Sequence, residues 1–282
     1  MRLIPRGYTQ SHLPWRAPRE LTFNSMPRMP DHAGRYLPNM SFALLGSGAT
    51  TTINLVNYYD EILFGHDYAS PAIAEITVFD ADGGTLGETR ETMQPHGSLH
   101  LDIAEHLGRQ AQASRTVASV YCRIVPTTEP SSLPKTHIST EYVTEIRTPG
   151  GSRTLFHNTL GPTFVPSFGL TESGQLFADR HTATRTLVLA NNYLGPRIPF
   201  LSSGRARVNI LNARGDRRSA YSGAVPYRGI RLFSLGEHFP DLTEFLDGAP
   251  GVIDLRTCNL LRKPWVLLES PDETGATSVE HL

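Results

Sequence analysis

Apolar and polar residues alternate with a period of two along most of this chain. Glu75-Ile76-Thr77-Val78 alternates as a half-buried strand does. Asp80-Ala81-Asp82-Gly83-Gly84 then offers turn chemistry, and Thr85-Leu86-Gly87-Glu88-Thr89 resumes the alternation, which predicts a hairpin. Arg207-Val208-Asn209-Ile210, the turn over 212–216 and Ser219-Ala220-Tyr221 predict a second one. Ser98 to Ile103 alternates as well, and 116–125 and 252–261 read as closing strands. Helix is confined to short turns within 103–112 and Leu242–Leu246. Short strands at regular spacing with Gly and Pro turns define an all-β chain of sandwich or barrel type.

The pattern occurs twice. Ala49-Thr50-Thr51-Thr52-Ile53-Asn54-Leu55-Val56-Asn57 aligns with Ala183-Thr184-Arg185-Thr186-Leu187-Val188-Leu189-Ala190-Asn191, with five identities in nine positions. Residues 74–107 align without gaps on 206–239, with matched pairs that include Gly83/Gly215, Gly97/Gly229 and His106/His238. Upstream, His32 and 37–42 echo His157 and 164–168. Repeats at a fixed period signal stacked copies of one structural unit. The expectation is two tandem β-sandwich, jelly-roll-like units related by internal duplication, over 20–128 and 138–270, packed against each other.

Charge narrows the partners. With 26 Lys and Arg against 27 Asp and Glu, the chain is not a general binder of nucleic acid or of a membrane surface. No apolar run approaches the ~20 residues of a membrane span. The first residues lack the apolar core of a signal peptide, so a cytoplasmic location is expected. Cys122 and Cys258 lie late in each unit and read as core residues rather than as a disulfide. Residues 1–35 hold six arginines among prolines and apolar side chains, which predicts an extended basic arm that mediates self-association. Residues 271–282 read as a flexible acidic tail.

Candidate chemistry is sparse. On a strand, His137, Ser139 and Glu141 share a face, and a turn at Pro149-Gly150-Gly151 would return His157 towards them. Two histidines and a carboxylate suit a divalent transition metal, with His181 or His100 as a further ligand. Pro95-His96-Gly97-Ser98-Leu99-His100 resembles the second cupin motif over those six residues. The glycine spacing upstream departs from that motif, and the repeat mate Tyr227-Arg228-Gly229-Ile230-Arg231 lacks the histidine. His106 and His238 match between the copies and so read as scaffold.

Asn57, Tyr58 and Tyr59, with Asn191, Asn192 and Tyr193, end equivalent strands. There they either cap turns or contact a small molecule, carbohydrate or peptide. Asp80-Ala81-Asp82-Gly83 lacks the later ligands of a calcium loop and reads as a turn. Phosphate-loop, dinucleotide-binding, His-Glu-x-x-His and Cys-x-x-Cys motifs do not occur. Three readings follow: a non-catalytic binding or assembly protein, a metal-dependent small-molecule enzyme, and a carbohydrate-binding module.

Overall fold

The computed structural model describes residues 26–46, 48–59, 69–108, 116–129, 137–157, 163–176, 184–260, 264–269 and 277–281. Most of the predicted arm lies outside them. Its last part, 26–35, carries a 3-10 turn over Asp31–Arg35 and buries Met29 and Ala33 in the first core.

The predicted alternation becomes strands β1 (Tyr36–Leu37), β2 (Asn39–Leu45), β3 (Thr50–Val56), β4 (Ala72–Phe79), β5 (Thr85–Met93), β6 (Ser98–Asp102), β7 (Thr116–Pro126), β8 (Ile138–Ser139), β9 (Val143–Arg147) and β10 (Arg153–His157). They are followed by β11 (Leu170–Leu176), β12 (Arg185–Ala190), β13 (Arg205–Leu211), β14 (Arg217–Tyr221), β15 (Ile230–Ser234), β16 (Gly251–Cys258), β17 (Trp265–Glu269) and β18 (Thr277–His281). Among the described residues α-helix is limited to α1 (Ile103–Leu107), α2 (Leu235–His238) and α3 (Leu242–Leu246). Among the described residues no helix is long and apolar enough to cross a membrane.

Four antiparallel sheets result. Sheet I runs β10-β9-β3-β6 and sheet II runs β2-β7-β4-β5; these make the first sandwich. Sheet III runs β15-β12-β17-β18 and sheet IV runs β11-β16-β13-β14; these make the second. Apolar side chains between sheets I and II include Ile53, Leu55, Ile76, Val78, Val120 and Ile124. Those between sheets III and IV include Leu187, Leu189, Val208, Ile210, Ile253 and Leu255.

A third core joins the sandwiches. Met40, Phe42, Leu44, Phe79, Val117 and Tyr121 leave the outer face of sheet II and meet Val188, Ala190, Ile230, Trp265 and Leu267 of sheet III. Sheets II and III therefore lie between two cores, and all seven residues of β2 and all eight of β4 are buried. This corrects the half-buried reading of Glu75-Ile76-Thr77-Val78. Glu75 and Thr77 are buried too, at 4% and 2% exposure.

The two sandwiches have the same strand order when β2, β7, β4 and β5 are matched to β11, β16, β13 and β14, and β10, β9, β3 and β6 to β18, β17, β12 and β15. Their turns match atom for atom. Asp80 Oδ1 accepts from the Asp82 and Gly84 amides, and Asn212 Oδ1 accepts from those of Arg214 and Asp216. Asp102 caps α1 through the Glu105 amide as Ser234 caps α2 through that of Glu237.

The pairing moves the expected boundaries. β9 and β10, assigned from sequence to the second unit, pair through β3 and belong to the first sandwich. The proposed echo of His32 by His157 fails with that shift: β2 corresponds to β11, which starts at Leu170, beyond the matched segment 164–168. The expected flexible tail contains β18, which completes sheet III against β17. Cys122 and Cys258 are free thiols; Cys122 is buried in the first core, whereas Cys258 is only partly buried, which corrects its reading as a core residue.

The hairpin turn of the first sandwich docks on the second. Ile230 N donates to Ala81 O at 3.1 Å. Gly83 has φ +81, and a Cβ there would lie 1.9 Å from the Tyr227 carbonyl oxygen. Its counterpart Gly215 has φ +86 but meets nothing within 4 Å. Alanine at Gly215 therefore costs only the left-handed strain, ~1–2 kcal/mol. Alanine at Gly83 adds an overpacking cost of ~1–3 kcal/mol. Denaturant midpoints of the two variants test this docking, and equal losses would contradict it.

Candidate functional site

Two of the asparagines singled out from sequence, Asn57 and Asn191, cap loops from within. Asn57 is 1% exposed, and its Nδ2 donates to Ser70 O at 2.9 Å and Gln94 O at 3.0 Å. Asn191 is 0% exposed and donates to the equivalent carbonyls, Ser202 O at 2.8 Å and Pro226 O at 2.9 Å. Asn192, Tyr59 and Tyr193 are buried as well. Tyr58 is half-buried, and its hydroxyl accepts from the Glu141 amide. Burial raises the Tyr59 hydroxyl pKa well above its ordinary value, although the Thr140 hydrogen bond opposes this. Exposure, which a ligand contact needs, is absent at all of these except Tyr58. The asparagines instead satisfy loop carbonyls that would otherwise be buried unpaired.

The metal triad does not assemble. The tight turn joins β9 to β10, so the antiparallel return starts at Val143 and leaves His137 and Glu141 upstream of it. His157 faces outward on β10, whereas β8, beside His137, pairs with β1. Among the described residues no three His, Cys, Asp or Glu side chains come together as metal ligands. His181 lies outside the described residues. His100 is exposed on sheet I, with Nδ1 2.5 Å from Asn54 Oδ1. His106 is partly buried, and that burial lowers its pKa. His238 stacks on Phe233 with the rings 3.9 Å apart.

Sequence reasoning missed the outer face of sheet IV. Ser173, Asp254, Asn209 and Ser219 are successive register partners across β11, β16, β13 and β14. Ser219 Oγ donates to Asn209 Oδ1 at 2.8 Å. Asn209 Nδ2 donates to Asp254 Oδ2 at 3.0 Å, and Ser173 Oγ to Asp254 Oδ1 at 3.2 Å. In the next row, Arg256, Arg207 and Tyr221 are partners. The Arg207 guanidinium lies 5.7 Å from the Tyr221 ring centroid, and that ring is 68% exposed. The two rows thus set exposed Ser173, Ser219, Arg256 and Tyr221 beside the partly exposed Asp254 and Arg207 on one sheet face, with Asn209 buried between them. The available signal was the polar residue at every second position of β13, β14 and β16, but only the strand register places those residues in rows.

The matching rows of sheet II are closed. Its apolar outer residues are covered by the second sandwich, and Glu75, the counterpart of Arg207, lies between two arginines. Glu75 accepts from Arg90 Nε at 2.8 Å and from Arg123 Nε at 2.6 Å. Burial pushes the Glu75 pKa up, but the two guanidiniums outweigh it and hold the carboxyl below its ordinary 4.5. Glu88, bonded to Arg90, is shifted upward, by its burial first and then by the charge of Glu75.

No protein-family model and no curated protein matches the chain. Solved structures give distant likenesses. One is a protein described as a β-galactosidase from Bacteroides fragilis, at 9% identity and a TM-score of 0.18, covering 87% of this chain and 32% of that one. Another is a glycosyl hydrolase family 2 member from Bacteroides cellulosilyticus, at 9% identity and a TM-score of 0.17, covering 88% and 26%. The chain spans about a third or less of their length.

Proposed function

We propose that this chain is a non-catalytic, carbohydrate-binding protein in which one sandwich unit has been duplicated and the second copy keeps its sheet face open for a ligand. The observation that carries this reading is the row of Ser173, Asp254, Asn209 and Ser219 running across all four strands of sheet IV. Buried Asn209 fixes Asp254 and Ser219 in place, and the exposed Ser173 and Ser219 with the partly exposed Asp254 present donors and acceptors at the surface. Sugar hydroxyls both donate and accept, so they suit such a row, and Tyr221 offers a flat apolar face with a polar tip beside it. The match of turns and strand order between the sandwiches supports the duplication. In the first copy the same face is used for internal packing.

An array of immobilised glycans tests this reading. The chain is expected to be retained on a subset of glycans, and Tyr221→Ala, at a position 68% exposed, is expected to abolish retention with little change in Tm. Retention unchanged in that variant would remove sheet IV as the site. Release of shortened glycans would overturn the non-catalytic assignment.

A further inference from the structure

The second sandwich repeats the charged row of the first with its carboxylate removed. In sheet II, the register partners Arg123, Glu75 and Arg90 set an anion between two cations. In sheet IV, the corresponding partners are Arg256, Arg207 and Tyr221. Two arginines thus face each other directly across β13 and β16. Like charges opposite one another on a sheet destabilise it. The relief within the chain is small: Arg256 Nε is 4.0 Å from Asp254 Oδ2, and the Arg256 side chain is 61% exposed. Arg207 donates to Ser219 Oγ only at 3.4 Å, and its Nε is buried without a hydrogen-bond partner. Arg205 and Arg217 add positive charge on the same face, which holds a single described carboxylate, Asp254.

Glu75 shows what relieves such a pair. A carboxylate there takes one N–H from each guanidinium. Charge-assisted bonds of this kind are among the stronger polar contacts. Among the described residues sheet IV lacks that carboxylate; Arg207 Nε is buried, so the geometry fits a carboxylate from outside that meets the terminal nitrogens of Arg207 and the exposed Arg256.

We infer that Arg207 and Arg256 bind the carboxylate of a uronic-acid-bearing polysaccharide lying across sheet IV, an inference that rests on the carbohydrate-binding reading above. The arginine pair takes the carboxylate, Tyr221 takes a sugar face, and Ser219 and Asp254, held by the buried Asn209, take hydroxyls. A glutamate-rich peptide offers carboxylates but no flat sugar face for Tyr221, which favours the sugar acid.

Calorimetric titration with a galacturonic acid hexamer, its methyl ester and a glutamate hexamer tests the assignment. The acid is expected to bind at least tenfold tighter than the ester and than the peptide. Arg207→Glu rebuilds the internal ion pair of the first sandwich. It is expected to weaken acid binding at least tenfold while Tm holds or rises. Arg256→Gln, at an exposed position, provides a second variant with the same expected loss. Equal binding of acid and ester would overturn this inference and leave the carbohydrate reading standing. Glutamate hexamer binding as tightly as the sugar acid would assign the face to an acidic protein and overturn it as well. Acid binding unchanged in both variants, or absent at millimolar concentration, would also overturn it. The glycan array then separates that result from failure of the broader reading.

Discussion

Replacing Trp265 by alanine lowers the unfolding free energy by about 3–5 kcal/mol, the range for removing a fully buried large aromatic side chain. Trp265 is 0% exposed. Its ring lies 5.1 Å from that of Phe42 on sheet II and 6.1 Å from that of Phe156 on the edge of sheet I. The side chain thus stands on a strand of the second sandwich and packs against both sheets of the first. Its loss opens a cavity where the sandwiches meet, and the rigid strands around it limit collapse. The wild type is expected to unfold in urea in one transition. The variant is expected to show a lower midpoint and two separable steps, because each sandwich keeps its own core. A loss below about 1 kcal/mol would mean that the two sandwiches hold together without this cluster.

The same seam explains what the sequence revealed. The hairpins at Gly83 and Gly215 were legible because turn chemistry and alternation are local signals. The burial of β2 and β4 was not, because it depends on a second sandwich covering an outer face. Polarity at Glu75 and Thr77 suggested solvent; at Glu75 it marks an ion network held inside the protein. Asn57 and Asn191 cap backbone, one of the two readings their sequence allowed, but their burial was hidden for a related reason. Their identity at matched strand ends was visible, but the partners that bury them are carbonyls of loops elsewhere in the chain, at Ser70 and Gln94 and at Ser202 and Pro226. The row on sheet IV draws one residue from each of four strands, and only two of those strands, β13 and β14, form a local hairpin. No spacing along the chain could have shown that Arg207 faces Arg256. The aligned segments 74–107 and 206–239 did contain the exchange of Glu75 for Arg207, whose meaning appears only once Arg123 and Arg256 are placed beside them.

Glu75→Gln tests the internal charge site directly. Breaking a buried ion pair by removing one partner costs about 3–5 kcal/mol, because the remaining charge stays buried and uncompensated. Arg123 is that remaining charge: it is 6% exposed, and its other described contact is a 3.3 Å bond to Ala33 O. Arg90 keeps Glu88 and loses less. The pH dependence follows from the depressed Glu75 pKa. A carboxyl held below its ordinary 4.5 contributes stability that is fully present above that value and is lost as pH falls through the folded-state pKa. Glu88, shifted upward, works in the opposite sense as pH falls, so the difference between wild type and variant is the informative quantity. That difference is expected to stay level from pH 7 to about 5 and to shrink below 4.5, as the wild-type carboxyl takes up its proton. Urea midpoints collected across this range measure it. A gap as wide at pH 3 as at pH 7 would show that Glu75 acts through packing and that its charge contributes nothing to holding Arg123 and Arg90 in place.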